Sequence, residues 1–209
     1  MKKRFCAMVL CVVVLLSALP VLAVSASLEN FAPIRAYDGR FTDVARESWY
    51  YDNIAALYAM GLTEGQTDSL FGVSSSITIG EALSFAARVR SAYYAGDPEA
   101  GARTYANSAG PWYTPYVQYL VASGVSAASQ FSGRCEQYAT RAQMAHILAG
   151  ILPASLFSLI NDTAVTMGYA LRLYITDVND YTPYQSDILQ LYRWGILTGA
   201  DDQGSFYPS

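Results

Sequence analysis

The sequence predicts a mostly all-α fold assembled from a repeated helical unit, and three observations carry that expectation. The first is an apolar pattern written three times: Tyr50, Ile54, Leu57, Tyr58; then Tyr113, Val117, Leu120, Val121; then Tyr184, Ile188, Leu191, Tyr192. Each set falls at i, i+4, i+7 and i+8, which is one face of an α-helix. The second is a glycine at the same distance beyond each set, Gly61, Gly124 and Gly195, where a left-handed helix-ending residue costs least. The glycines lie 63 and 71 residues apart, the spacing of a repeat array. The third is a pair of capping signals, Thr78 with Glu81 and Thr140 with Gln143, whose side chains can satisfy each other's orphaned backbone N–H groups.

What surrounds these helices recurs as well. Phe41-Thr42-Asp43-Val44, Tyr105-Ala106-Asn107-Ser108 and Ile175-Thr176-Asp177-Val178 stand upstream of the three glycines. Trp49-Tyr50 and Trp112-Tyr113 open two of the helices, whereas the third has Pro183-Tyr184, with proline tolerated in a first helical turn. A phenylalanine follows each glycine, at Phe71, Phe131 and Phe206. Second helices start at the two capping threonines and share one register, Ala82, Phe85, Ala86, Val89 against Met144, Ile147, Leu148, Ile151. The third copy's capping threonine would fall just past Ser209, so the chain reads as a truncated product or a fragment that lacks a closing helix. A natural short variant covered by a partner is the alternative.

The expected organisation is a signal peptide at 1–26, a linker at 27–40, copies at 41–95 and 104–152, a linker with a short helix at 153–174, and the truncated copy at 175–209. Met1-Lys2-Lys3-Arg4, an apolar run from Phe5 to Leu16 and small residues to Ala26 form a secretory signal, cleaved after Ala26 or Ala23. The run is broken at Ser17 and Pro20 before it would span a bilayer, and no later stretch is long or apolar enough to do so. Without the signal, 10 arginines face 17 acidic residues, a net charge of −7. That balance argues against nucleic acid or anionic lipid as a partner, because both need a positive field. Only Cys135 remains, which excludes an internal disulfide and suggests a partly sheltered thiol. Pro153 to Ile160 reads as a short helix, and Asn161-Asp162-Thr163 fits a glycosylation acceptor by chance.

The three copies together resemble the S-layer homology repeat. The residues that carry the likeness are Phe41-x-Asp43-Val44, Trp49-Tyr50, Gly61-Leu62-x-x-Gly65, Phe71 and Thr78-x-x-Glu81, then Trp112-Tyr113 through Thr140-Arg141-Ala142-Gln143, and Asp177-Val178 through Gly195-Ile196-x-x-Gly199 and Phe206. The resemblance implies three helix–loop–helix repeats around a pseudo-threefold axis, the last without its second helix. It also implies noncovalent attachment to bacterial cell-wall polysaccharide, typically one carrying pyruvylated amino sugar. Thr140 and Arg141 are implied at the ligand, with Trp49, Trp112, Asp43 and Asp177 mapping to the remaining motif positions. The chain departs from the pattern at Ile79 for arginine, at Asn107 for aspartate, and in the third copy's lack of tryptophan at the motif position.

Physical chemistry weighs these residues individually. A helix start at Thr140 offers N–H groups and a positive dipole end, and Arg141 adds a forked donor for carboxylate. A cation there opposes the dipole, so something must repay it. The tryptophans either stack on sugar or plug the core, and the large gain from burying an aromatic favours the core. Asp43 and Asp177 suit a turn stabilised through their own backbone. His146, the only histidine, has no metal-ligand or serine partner and reads as a surface residue. No metal, cofactor or catalytic motif is expected, and scattered carboxylates such as Glu47, Asp52, Glu81 and Asp187 are the only basis for a wall hydrolase. The competing readings are an anchor, a structural or assembly module with degenerate sugar sites, and the anchoring fragment of a larger exported enzyme.

Overall fold

The computed structural model describes residues 24–160, 175–201 and 204–209. The signal-peptide expectation therefore lies almost wholly outside the described residues, as do the acceptor at Asn161 and the linker from 163 to 174. Among the described residues there are seven α-helices and no strand: α1 Tyr51–Ala59, α2 Ile79–Ala95, α3 Ala100–Arg103, α4 Thr114–Ala122, α5 Ser126–Phe131, α6 Arg141–Ala149 and α7 Gln185–Arg193. The described residues are mostly helical and hold no sheet, the all-α class that the periodicity predicts.

Helices α1, α4 and α7 are each nine residues long and end the same way. Gly61, Gly124 and Gly195 hold φ of +69°, +76° and +69°. In each case the glycine N–H bonds three residues back, to Tyr58, Val121 or Tyr192. The next N–H bonds five back, to Leu57, Leu120 or Leu191. This paired closure satisfies two of the carbonyls that a helix end leaves orphaned, and it needs a residue without Cβ strain. The buried faces are Ile54 and Tyr58, Val117 and Leu120, and Ile188, Leu191 and Tyr192.

Helices α2 and α6 begin at complete capping boxes. Thr78 Oγ1 accepts from Glu81 N at 3.2 Å while Glu81 Oε2 accepts from Thr78 N at 2.7 Å. Thr140 and Gln143 repeat the exchange at 3.2 and 2.9 Å. Helix α2 packs on α4, and α6 packs on α7, so each second helix seals against the first helix of the following copy. One core joins Ile79, Leu83, Leu120, Phe131 and Ile147; another joins Ala142, Ala145, Ile188, Leu191 and Phe206; a third holds Phe41, Val44, Ile54 and Tyr58.

Several expectations need correction. Phe85, Met144 and Leu148, expected in the core, are only half-buried, and Leu83 and Ala87 are buried in addition because α2 has neighbours on more than one side. Pro153 to Ile160 forms only a 3₁₀ turn at Ala154–Leu156, too short to hold a helical face. Helix α7 starts at Gln185, so Pro183 lies outside it, and Tyr184 takes the left-handed region at φ +58°. The linker at 27–40 lies against the helices, with Ser27 N–H bonded to the Tyr93 carbonyl and Ile34 N–H to that of Ala59.

Candidate functional site

Two grooves lie beside the second helices. The smaller, of about 440 Å³, is walled by Arg141, Met144 and Leu148 of α6, by Leu197 to Ala200 after α7, by Phe206 and by Trp49. The larger, of about 860 Å³, is walled by Glu81, Phe85 and Arg88 of α2, by the loop from Leu62 to Gln66, and by Trp112. Met144 borders both.

The tryptophans correct the expectation of core residues. Trp49 is 86% exposed and Trp112 58% exposed. Each ring packs edge-on to the adjacent tyrosine, at 5.4 Å for Tyr50 and 5.7 Å for Tyr113, which orients the indole at the groove without burying it. The Tyr113 hydroxyl is in turn pushed up to about 12 in pKa by its bond to the Glu136 carboxylate, with burial adding to it.

Among the described residues, Arg141 is the sole charged residue lining the smaller groove. Its Nε donates to the Phe206 carbonyl at 2.5 Å, and its guanidinium carbon lies 4.9 Å from the Phe206 ring centre. That bond and the ring repay the cation's unfavourable place at a helix start. Its two terminal nitrogens take no hydrogen bond among the described residues, leaving a planar fork of donors that matches a carboxylate. Two of the helix N–H groups expected to be free for an anion are not: Ala142 N–H goes to the Pro208 carbonyl and Gln143 N–H to Thr140. Thr140 thus shapes the helix start and does not line the groove.

In the first copy Ile79 stands where Arg141 stands in the second. It is fully buried, and the N–H groups of Ile79 and Gly80 are taken by the carbonyls of Gln137 and Cys135. Gly80 and Ala142 each give their N–H to a chain carbonyl, but the residue ahead of them is a cation in one case and a methyl-bearing side chain turned into the core in the other.

Asp43 and Asp177 line neither groove. Asp43 accepts from Phe71, Gly72 and Val73 N–H at 2.8, 2.7 and 3.2 Å, and Asp177 accepts from Phe206 and Tyr207 N–H, both at 2.6 Å. Each aspartate pins the loop that carries its copy's phenylalanine, so its part in the site is to hold a wall in place. Burial pushes the Asp43 carboxyl up, but the three N–H bonds outweigh it and leave the group below the usual carboxylate value.

His146 is not the surface residue its isolation suggested. Nδ1 lies 2.7 Å from Asp187 and Nε2 3.0 Å from Gln130, and the ring stacks on Tyr184 at 4.4 Å. The Tyr184 hydroxyl accepts from Gln130 Nε2 at 2.9 Å. This cluster joins α6 to α7 and holds Tyr184 in its left-handed conformation. Cys135 is buried and free, and burial raises its thiol pKa. Among the described residues there is no cluster that could hold a metal ion, and no helix is long and apolar enough to cross a membrane.

Arg141, singled out from the sequence, borders the smaller groove, whereas the tryptophans, read as core, edge the grooves, and so do Met144, Leu148 and Phe85, which the sequence reading also placed in the core. Their helical spacing is that of core residues, and nothing in it distinguishes a core from a groove.

Helical units with a capped second helix, a pinning aspartate and a tryptophan-edged groove agree with what comparison finds. The family model of the S-layer homology domain matches residues 40–83 of this chain. It is similar to the surface-layer 125 kDa protein of Lysinibacillus sphaericus, with 31% identity over 97 residues, which is 46% of this chain and 8% of that protein. The chain thus spans less than a tenth of the relative's length. No solved structure matches.

Proposed function

We propose that this chain is an exported cell-surface anchoring module that holds an acidic cell-wall polysaccharide noncovalently in the smaller groove. The observation that carries the reading is the pairing of Arg141 with Trp49 across one groove. The guanidinium offers a two-pronged donor to a sugar-borne carboxylate, as a pyruvyl ketal would present, and the exposed indole offers a face to the ring beside it. The similarity to the S-layer homology domain and to a surface-layer protein supports the placement at the cell envelope. In this reading the three copies surround a pseudo-threefold axis. Trp49 of the first copy, Arg141 of the second and the Leu197–Ala200 loop of the third complete one site.

Recognition here needs binding without chemistry, and the described residues at this groove include no carboxylate pair for glycosidic cleavage. Attachment of a larger exported cargo, catalytic or structural, fits the small share of the surface-layer relative that the chain spans.

The test is co-sedimentation of the mature protein with purified bacterial sacculi. Pelleting is expected with intact sacculi, to be lost when wall polysaccharide is stripped, and to fall about tenfold or more in affinity with Arg141→Ala, the loss of one charge-assisted bidentate contact. Binding that survives both treatments rejects the reading.

A further inference from the structure

Among the described residues, the two grooves are lined by opposite net charge. In the larger one the lining ionisable groups are Glu64, Glu81 and Arg88. Two of the three are already paired. Both Glu64 oxygens accept from Arg35, at 2.8 and 2.9 Å, and Arg88 donates to Glu99 at 2.6 Å and to the Tyr116 hydroxyl at 2.8 Å. Burial works against the Arg88 cation, but Glu99 and Tyr116 more than offset it, so the guanidinium stays charged and committed.

Glu81 is different. Both of its capping bonds, from Thr78 N and Thr78 Oγ1, end on Oε2. Oε1 takes no hydrogen bond among the described residues, and the side chain is only half-buried on the groove wall. The arginine that gives the smaller groove its positive charge has no counterpart here, since Ile79 occupies its position inside the core. The uncompensated charge of the larger groove is therefore a carboxylate, on a wall that also bears the exposed Trp112 ring. Its volume of about 860 Å³ falls within the ordinary range for ligand sites, roughly 300–1,000 Å³.

We propose that the larger groove selects a glycan unit bearing a free, protonated amine, with the ammonium on Glu81 and the sugar or its cation against Trp112. An ammonium donates to Oε1 as a charge-assisted hydrogen bond, and an indole face attracts the same cation. An acidic sugar is repelled from this groove and drawn to the other. The chain thereby reads two chemistries of one wall, an acidic polymer and a de-N-acetylated amino sugar. This inference rests on reading the grooves as sugar sites, but not on the wall-anchoring role of Arg141.

Glu81→Gln is a clean probe because glutamine is the natural capping partner at the equivalent Gln143, so the helix start survives while the charge is removed. The mature chain is titrated calorimetrically with a β-1,4-linked glucosamine tetramer and with its fully N-acetylated counterpart at fixed ionic strength. The free-amine tetramer is expected to bind about tenfold tighter than the acetylated one, a preference of the size one charge-assisted contact supplies. Glu81→Gln should abolish that preference and Trp112→Ala should weaken both ligands, whereas Glu47→Gln, an exposed acid outside the groove, should change neither. Equal affinity for the two tetramers overturns the proposal, as does a preference kept in Glu81→Gln or lost equally in Glu47→Gln. Absence of binding to either tetramer also overturns it. If sacculus pelleting fails while the Glu81-dependent preference stands, the anchoring reading falls and this one remains.

Discussion

Asp43 does its work through two oxygens and three backbone N–H groups, and the consequence is a pH-dependent stability. Its carboxyl is held below the ordinary value in the folded chain, so its contribution is present above the unfolded carboxylate range and is lost as pH falls through the lowered folded value. Asp43→Asn should cost about 2 kcal/mol at neutral pH, the worth of hydrogen bonds to a charged acceptor, and the gap to the parent should close in acid. Urea unfolding at a series of pH values measures both. The Asp43 role was not legible in full: its residue type suited a turn made through its own backbone, whereas its oxygens accept from Phe71, Gly72 and Val73 N–H, 28 to 30 residues further on, which no local pattern announces. The exposure of Trp49 was not legible. Whether a large ring at a helix start is buried depends on what packs beside it, and the neighbours of Trp49 include Leu197 and Phe206 from the other end of the chain. His146 misled for the same reason: its partners Asp187 and Gln130 belong to other helices.

At the scale of the element, helix ends were the most readable feature, since caps and terminators are written within a few residues of one another. Both threonine boxes and all three terminal glycines stand where local chemistry put them. Replacing Thr140 with alanine should cost about 1 kcal/mol of unfolding free energy, the usual worth of such a cap, as judged from chemical denaturation. The glycines separate two kinds of constraint. At Gly124 a Cβ would meet nothing within 4 Å, so Gly124→Ala should cost only the left-handed backbone penalty, about 1 kcal/mol. At Gly65 the same Cβ would lie 2.5 Å from the buried Phe41 ring and 2.8 Å from the Leu70 carbonyl. Gly65→Ala adds overpacking to the backbone term and should cost about 3 kcal/mol. Equal melting temperatures for the two variants would refute the distinction. What the helices left unreadable was which of their apolar residues face a groove: Met144 and Ile147 share a pattern, yet only Ile147 is fully buried.

For the whole molecule, each second helix seals against the next first helix, so stability should spread through neighbours and not through one central nucleus. Phe206→Ala removes a buried ring from the last core and the surface on which Arg141 rests. It should destabilise by about 3–5 kcal/mol. Hydrogen exchange should show α6 and α7 losing protection while α2 and α4 keep theirs. Uniform loss across all helices would mean a single cooperative unit instead. The order of the elements was visible in the repeated pattern, whereas the grooves were not, because each is walled by segments that only folding brings together.

The carbonyl of Phe206 that accepts from Arg141 Nε ties the placement of the guanidinium to the seating of residues 204–209. A chain whose last segment is unseated keeps its arginine but holds it on a loose tether, with one wall of the groove missing. In the proposed reading, grip on the wall glycan is then acquired only once residues 204–209 have docked against α6.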